Sequence, residues 1–412
     1  MRRSSWASPT GRREAQLWAI RAREAFNRTA FGLEPDRSQI EAEWAIRRQR
    51  GIEEVRRSLT AFYNGTGEEM RALFRVAGMD PEHALIRYGR GEQAFVISSQ
   101  VFEPDSGGRS YRFRPNLRSI WLRQITIRGG PFSMFQVPDT PAHRAAAGAA
   151  GGIVDEGSVQ TTNSWGLRGP EPDLSADVRG VVLGDSFMQA MFNGDEDTPS
   201  LYLERFLRST WRLSVSVLNT GHIGYSPEQY YYSLVEYGEK FRPHFVVVSV
   251  CPNDLGDGGS VMAGRADWLS EAEYWLDQIH RWCVARNTVC LVVGVPIYSQ
   301  IESVRRDDLY PAALARAFHG PPTRYCFPLD EFIDEHLRLT SQAQARGLPR
   351  DRSLLYNRPI DDDHFSPSGA ELWGKIVGRR LVRIFDVSPK ESTRKAGTNE
   401  TPLNAPAARA IP

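Results

Sequence analysis

One serine in the sequence stands where it could act as a nucleophile. Ser186 follows an apolar, strand-like run in VVLGDSFMQA, residues 181–190, with Gly184 and Asp185 directly before it. The carboxyl end of a strand is where an open α/β sheet binds its ligands. Serine and aspartate are also the favoured residues at helix starts. The stretch alone therefore predicts either a nucleophile or a helix cap.

Three later segments carry groups that would complete such a site. NTGHIGYSP contains Asn219 and Gly224, CPNDLGDGG contains Asn253, and DDDHFSPSG places three acids, the first of them Asp361, before His364. Taken singly, each is typical of an ordinary turn, a solvated loop or a structural histidine. Together they place a serine, a histidine with an acid beside it and two oxyanion donors on one sheet edge, which indicates acyl-transfer chemistry.

The elements that must position these groups alternate from about residue 179 to 385. Four apolar runs, GVVLGD, LSVSVLN, HFVVVSV and VCLVVGVP, are each followed by a helical stretch, and YCFPL is a short last strand. Strands without polar alternation that are separated by helices form a parallel sheet covered on both faces. The sequence therefore predicts a doubly wound α/β domain. SPSGAELWGKIVGRRLVRIF is its closing helix, with Ser366 or Ser368 as the cap.

From about residue 160 to 387 the chain resembles the SGNH hydrolases, the superfamily of GDSL-like lipases and esterases. Four blocks in the family's order carry the resemblance: Gly184-Asp185-Ser186, Asn219 with Gly224 five residues on, Asn253 in CPND, and Asp361 with His364 in DDDH. The upstream segment TTNSWGLRGPEP also looks like the lead-in of many bacterial members. The resemblance implies a flavodoxin-like parallel sheet and a serine esterase that needs neither a metal nor an organic cofactor.

The implied mechanism gives each of these residues a role. His364 takes the proton of Ser186, and Asp361 holds the imidazole in the useful tautomer. The oxyanion formed on the ester carbonyl accepts from the backbone N–H groups of Ser186 and Gly224 and from the side-chain amide of Asn253. These five residues are the predicted catalytic site.

Two positions leave alternatives open. Cys251 replaces the glycine that usually begins the third block, which shifts the backbone near the pocket or leaves a thiol close to it. We expect a tolerated neighbour rather than a second nucleophile, because the sequence offers Cys251 no activating partner. Asp362 is an alternative to Asp361 as the partner of His364, since some relatives use a two-residue spacing.

Composition excludes several classes of function. The chain has 412 residues with 51 basic and 50 acidic side chains, a net charge of +1, so no overall field attracts nucleic acid. Its four cysteines lack the paired spacing of a zinc site and are predicted to be core thiols. No signal-peptide core and no apolar run of about 18 to 20 residues is visible, so we predict no transmembrane segment and, by default, a cytoplasmic location. The oligomeric state stays open.

The first 150 residues are predicted to form a helical and β-rich extension of unknown role. IEAEWAIRRQRGIEEVRRSL places apolar residues from Ile40 to Leu59 on one helical face and arginines on the other. This favours a solvated face docked on the rest of the protein over a lipid or nucleic-acid patch. Short β-like runs follow between Gln93 and Ile127.

Composition also suggests the domain boundaries. AHRAAAGAAGG, residues 142–152, predicts a flexible connection or a disordered loop. We expect an extension over residues 1–150, the hydrolase domain over 160–387 and a disordered tail over 388–412.

The sequence thus predicts a serine ester hydrolase with an acyl-serine intermediate. The leading substrate class is a small acyl ester, such as an O-acetyl group on a carbohydrate. Two alternatives remain: an O-acyltransferase that passes the acyl group to a sugar hydroxyl, and a catalytically silent carbohydrate-binding module that keeps the fold.

Overall fold

The computed structural model describes residues 37–88, 94–123, 135–255, 266–302, 323–347, 354–357 and 364–387. The helices in these ranges are α1 Arg37–Gly65, α2 Glu68–Val76, α3 Pro141–Ala149, α4 Ser186–Gln189, α5 Pro199–Trp211, α6 Pro227–Phe241, α7 Ala266–Ala285, α8 Tyr298–Glu302, α9 Leu329–Ala345 and α10 Pro367–Val387. The strands are β1 Leu85–Tyr88, β2 Ala94–Ile97, β3 Phe102–Asp105, β4 Ser110–Phe113, β5 Arg118–Arg123, β6 Phe135–Pro138, β7 Ile153–Val154, β8 Gln160–Thr161, β9 Val178–Leu183, β10 Val215–Asn219, β11 Phe245–Val250, β12 Val289–Gly294 and β13 Thr323–Cys326. None of the helices in this part of the chain is long and apolar enough to cross a membrane.

The last five strands form one parallel sheet in the order β10-β9-β11-β12-β13. Numbered along the chain this order is 2-1-3-4-5, that of flavodoxin-like doubly wound sheets. The register pairs Asn219 with Val182 and Leu183 with Val248, so the carboxyl ends of β9, β10 and β11 reach the same edge. The predicted α/β fold class is confirmed.

Apolar side chains cover both faces of this sheet. On one face Leu234 of α6 and Ile279 of α7 pack into a buried cluster with Val181 and Val246. On the other, Leu203 of α5 and Trp373 of α10 join a cluster that also contains Phe332 of α9. Strands covered on both faces need apolar residues at every position, which explains the runs in the sequence.

Antiparallel pairing dominates the chain before this sheet. β1 pairs with β2, β3 pairs with β4, and β5 pairs with β6, β7 and β8. Leu59 of α1 and Phe74 of α2 share a buried cluster with Ile120 of β5, so the helices cover one side of these strands. The helical and β-rich character predicted for this part is what the structure shows.

The small-residue segment at 142–152 is not a loop. Most of it is helix α3, whose N-cap Thr140 accepts from the His143 N–H at 3.3 Å and whose Ala147 is fully buried. The prediction of a flexible connection is wrong because alanine has the highest helix propensity and a small side chain that packs closely. The antiparallel sheet runs on through β8, beyond residue 150. The domain boundaries remain a proposal, and the tail over 388–412 lies outside the described residues.

Candidate active site

Ser186 and His364 meet at the carboxyl edge of the parallel sheet. Ser186 follows β9, and His364 lies three residues before α10. The imidazole Nε2 lies 2.7 Å from Ser186 Oγ, a distance at which a neutral ring can accept the hydroxyl proton. Ser186 is only 7% exposed, whereas His364 is half-buried.

The turn that carries Ser186 is the short helix α4. Its N-cap is Asp185, whose Oδ1 accepts from the Phe187 N–H at 3.0 Å. The capping role allowed by the sequence therefore belongs to Asp185, which leaves the Ser186 hydroxyl to His364. Ala190 ends the helix in the left-handed conformation, with φ at 57°.

The loop after β10 lies against this turn. The Ile223 N–H donates to Gln189 Oε1 at 2.5 Å, and a Cβ on Gly221 would come within 2.5 Å of the Gln189 nitrogen. Gly224 has a φ of +66°, which glycine adopts without steric cost. Among the described residues, no acceptor takes the backbone N–H of Ser186 or of Gly224. Their role as oxyanion donors stays a prediction.

The third predicted oxyanion donor follows β11. Asn253 lies in the turn Pro252–Leu255, two residues after Cys251, whose Sγ donates to Asp185 Oδ2 at 2.9 Å. This contact brings the backbone before Asn253 beside the turn that carries Ser186. The Asn253 side chain lies outside what the structure describes, so its role stays a prediction.

Two contacts with described residues, Asn357 and Phe187, hold His364 in place. The His364 carbonyl accepts from the Asn357 N–H at 2.9 Å, and the imidazole centroid lies 4.9 Å from that of Phe187. Asp361 and Asp362 lie outside the described residues. The identity of the triad acid therefore stays a prediction.

Ser186 follows β9, the first strand of the parallel sheet along the chain, and is hydrogen-bonded to His364, which precedes the closing helix α10. The sequence blocks that contain them stand in the same order along the chain. The chain has a flavodoxin-like doubly wound α/β fold. The parallel sheet that the resemblance implies is the sheet that the structure has. No family model matches the chain, and no curated protein matches it.

Several solved structures match about half of the chain. A lipolytic protein of the G-D-S-L family from Desulfitobacterium hafniense is 12% identical over 49% of this chain and 99% of its own, with a TM-score of 0.34. A family 3 carbohydrate esterase from Clostridium thermocellum is 17% identical over 51% and 98%, with a TM-score of 0.35. A variant acetyl-xylooligosaccharide esterase from Geobacillus is 14% identical over 51% and 95%, with a TM-score of 0.35. At these identities and TM-scores the likeness carries no inference about activity.

Cys251, which directly follows β11, is a buried hydrogen-bond donor. Burial raises the pKa of its thiol well above the usual range, so the protonated sulfur donates to Asp185. The Cys251 N–H donates to Asp254 Oδ2 at 2.9 Å, and burial raises the pKa of that carboxyl as well. Because the thiolate is the nucleophilic form of cysteine, this environment supports a structural role for Cys251.

A second histidine, His222, lies in the loop that contains Gly224. With the proton on Nδ1, His222 donates to the Thr220 carbonyl at 2.9 Å and its Nε2 accepts from the Phe113 N–H at 3.3 Å. These partners assign the tautomer. Burial lowers the pKa of His222 to about 3, so the ring is neutral at physiological pH. Both of its nitrogens are therefore engaged, by Thr220 and by Phe113.

Arg168 is a site residue that the sequence analysis did not single out. It lies in TTNSWGLRGPEP and is 2% exposed. Its guanidinium donates to the carbonyls of Gln189 and, at 3.1 Å, Ala190, and it lies 3.3 Å from Asp195 Oδ1. Burial lowers the pKa of Arg168 to about 10, so it stays charged at neutral pH. It therefore fixes the backbone at the end of α4, the helix that carries Ser186.

Proposed function

We propose that the chain is a serine ester hydrolase acting on small acyl esters, with acetyl esters of carbohydrates as the leading class. The observation that carries the proposal is the 2.7 Å contact between Ser186 Oγ and His364 Nε2 at the ligand-binding edge of the sheet. In this proposal Asp361 orients His364.

The reaction runs in two steps. His364 Nε2 takes the Ser186 proton while Oγ forms a bond to the ester carbonyl carbon, and the oxyanion accepts from the N–H groups of Ser186 and Gly224 and from Asn253. The C–O bond to the alcohol then breaks, and the protonated His364 gives its proton to the leaving oxygen. Water attacks the acyl-serine with His364 again as base, which releases the acid and restores Ser186.

A competition assay separates hydrolysis from acyl transfer. The enzyme is given 4-nitrophenyl acetate as donor, with and without a soluble oligosaccharide as acceptor, and the acetate and the acetylated sugar are quantified. We expect free acetate as the main product in both cases. Acetylated sugar in excess over acetate would establish an acyltransferase, and no turnover of any acetyl or longer acyl ester would establish a silent module.

Activity is expected to rise with pH over the range in which histidines titrate, about pH 5 to 8. The protonated form of His364 cannot accept the Ser186 proton, so kcat/KM falls as pH falls. His222 does not contribute, because its pKa of about 3 keeps it neutral across this range. The test is a kcat/KM profile for 4-nitrophenyl acetate, corrected for spontaneous hydrolysis. A flat profile would contradict the assignment of His364 as base.

Asn253→Ala is expected to lower kcat by about a hundredfold or more with little change in KM, because the amide acts on the oxyanion of the transition state. Asn64→Ala is a suitable control, since Asn64 is an exposed residue of α1. Steady-state kinetics on both variants is the measurement. A kcat for Asn253→Ala equal to that of the control would show that this amide does not reach the oxyanion.

A further inference from the structure

We propose that Gln136 and Gln189 are positioning residues that hold the Gly224 loop, which follows β10, against the nucleophile turn, which is the helix α4 that carries Ser186. Gln136 lies on β6, in the antiparallel part of the chain, and Gln189 ends α4. This inference rests on the proposed function and assigns to the antiparallel strands a part in aligning the two backbone oxyanion donors.

Gln189 joins the two segments that carry those donors. Its backbone lies three residues after Ser186, and its Oε1 accepts from the N–H of Ile223, the residue before Gly224, at 2.5 Å. Gln189 is fully buried, so water does not compete for this bond. The Gln189 amide therefore holds the residue before Gly224, and Asn219 Nδ2, which donates to the Met188 carbonyl at 2.7 Å, holds the start of the same loop.

That amide is oriented from the antiparallel strands. Gln189 Nε2 donates to Gln136 Oε1 at 3.2 Å, and Gln136 Nε2 donates to Ser119 Oγ and to Gln160 Oε1, both at 2.9 Å. Gln160 Nε2 in turn donates to the carbonyl of Ala190 at 3.2 Å. The chain of bonds thus leaves the nucleophile turn, crosses β6, β5 and β8, and returns to the same turn.

Each amide in this network can take only one orientation. Each amide oxygen in it accepts and each amide nitrogen donates, and rotating one amide by half a turn would set nitrogen against nitrogen and oxygen against oxygen. The three glutamines are at most 5% exposed. A buried amide that loses its partner is destabilised, so a satisfied network of this kind restricts its members to one arrangement.

Two aromatic residues of β4, Tyr111 and Phe113, contact the Gly224 loop independently of the glutamines. The Tyr111 hydroxyl donates to the Ile223 carbonyl, and the Phe113 N–H donates to His222 at 3.3 Å. Trp121 of β5 also packs in a buried cluster with Phe192, whose ring lies 6.4 Å from that of His364. The antiparallel part therefore contacts the loop of Gly224 and the surroundings of the base.

The test compares Gln136→Met and Gln189→Met with Gln300→Met in the full chain. Methionine matches glutamine in length and lacks the amide. Gln300 is a fitting control because it is also buried and accepts a backbone N–H, that of Ile297. Circular dichroism checks folding, and Gln136→Asn, which keeps an amide but shortens the side chain, is the second variant should methionine prevent folding.

Two readouts are taken. Hydrogen exchange of the peptide containing Ile223 is expected to be about tenfold faster in Gln136→Met and Gln189→Met than in wild type, and unchanged in Gln300→Met. With 4-nitrophenyl acetate, kcat is expected to fall about tenfold in Gln136→Met and further in Gln189→Met, with KM nearly unchanged.

Each result decides the proposal. Exchange of the Ile223 peptide that stays at the wild-type rate in the glutamine variants would overturn it, whatever the activity. Faster exchange with an unchanged kcat would overturn the catalytic part. If wild type itself hydrolyses no ester, the proposed function fails, whereas the exchange data still decide whether the glutamines position the loop.

Discussion

Ser186→Ala and His364→Ala are each expected to lower kcat for 4-nitrophenyl acetate by on the order of 10⁶, the loss seen when a serine-histidine unit is broken. The Ser186 hydroxyl and His364 Nε2 lie 2.7 Å apart, and in the proposed mechanism they act in one proton transfer. Removing the second group after the first therefore removes little more, and the double variant should resemble either single variant. The measurement is kcat for all three variants, purified in parallel.

Two substitutions outside the site serve as controls for these variants. Ser233→Ala removes another buried serine hydroxyl, from α6, and His244→Ala removes a histidine that accepts the Arg179 N–H before β11. Both controls should retain the wild-type kcat. Clear residual turnover in purified Ser186→Ala would contradict the nucleophile assignment, and losses that add in the double variant would contradict a single unit.

Asp361→Ala is expected to lower kcat by about 10⁴, because a histidine without its orienting acid adopts the wrong tautomer and loses stabilisation of the imidazolium. Asp362→Ala and Asp363→Ala should be nearly silent. The three adjacent carboxylates have the same charge and differ only in position, so each is a matched control for the others. The measurement is kcat for the three single variants at one pH above the histidine range.

The opposite pattern would reassign the triad. A severe loss in Asp362→Ala with a near-normal rate in Asp361→Ala would show that the two-residue spacing to His364 applies in this chain. Equal and mild losses in all three variants would show that none of these acids orients the base.

The sheet and the Ser186–His364 pair could be predicted because their signals are local and periodic. β10 and β11 are buried at every position, so each appears as a continuous apolar run. The carboxyl ends of parallel strands lie at the same edge of the sheet, so residues that directly follow those strands come close together. The topology therefore brings the histidine to the serine across 178 positions of sequence.

The supporting residues could not be predicted, because their roles depend on pairing across distant elements. Gln136 and Gln189 are separated by 53 positions, and nothing in either local sequence marks a buried amide. Arg168 belongs to a side-chain type that is mostly exposed, and its buried position depends on the carbonyls of the turn after Ser186. The alanine-rich helix α3 is predicted as a flexible connection because its composition is also that of a flexible linker.

The central claim is that Ser186 is an activated nucleophile. Its most direct test is mass spectrometry of the full chain after treatment with a serine-directed fluorophosphonate, followed by proteolysis. The account predicts one modified peptide containing Ser186 in wild type and in Ser233→Ala, with no such modification in His364→Ala over the same time. An unmodified Ser186 peptide in folded wild type, or modification that is as fast in His364→Ala, would contradict it.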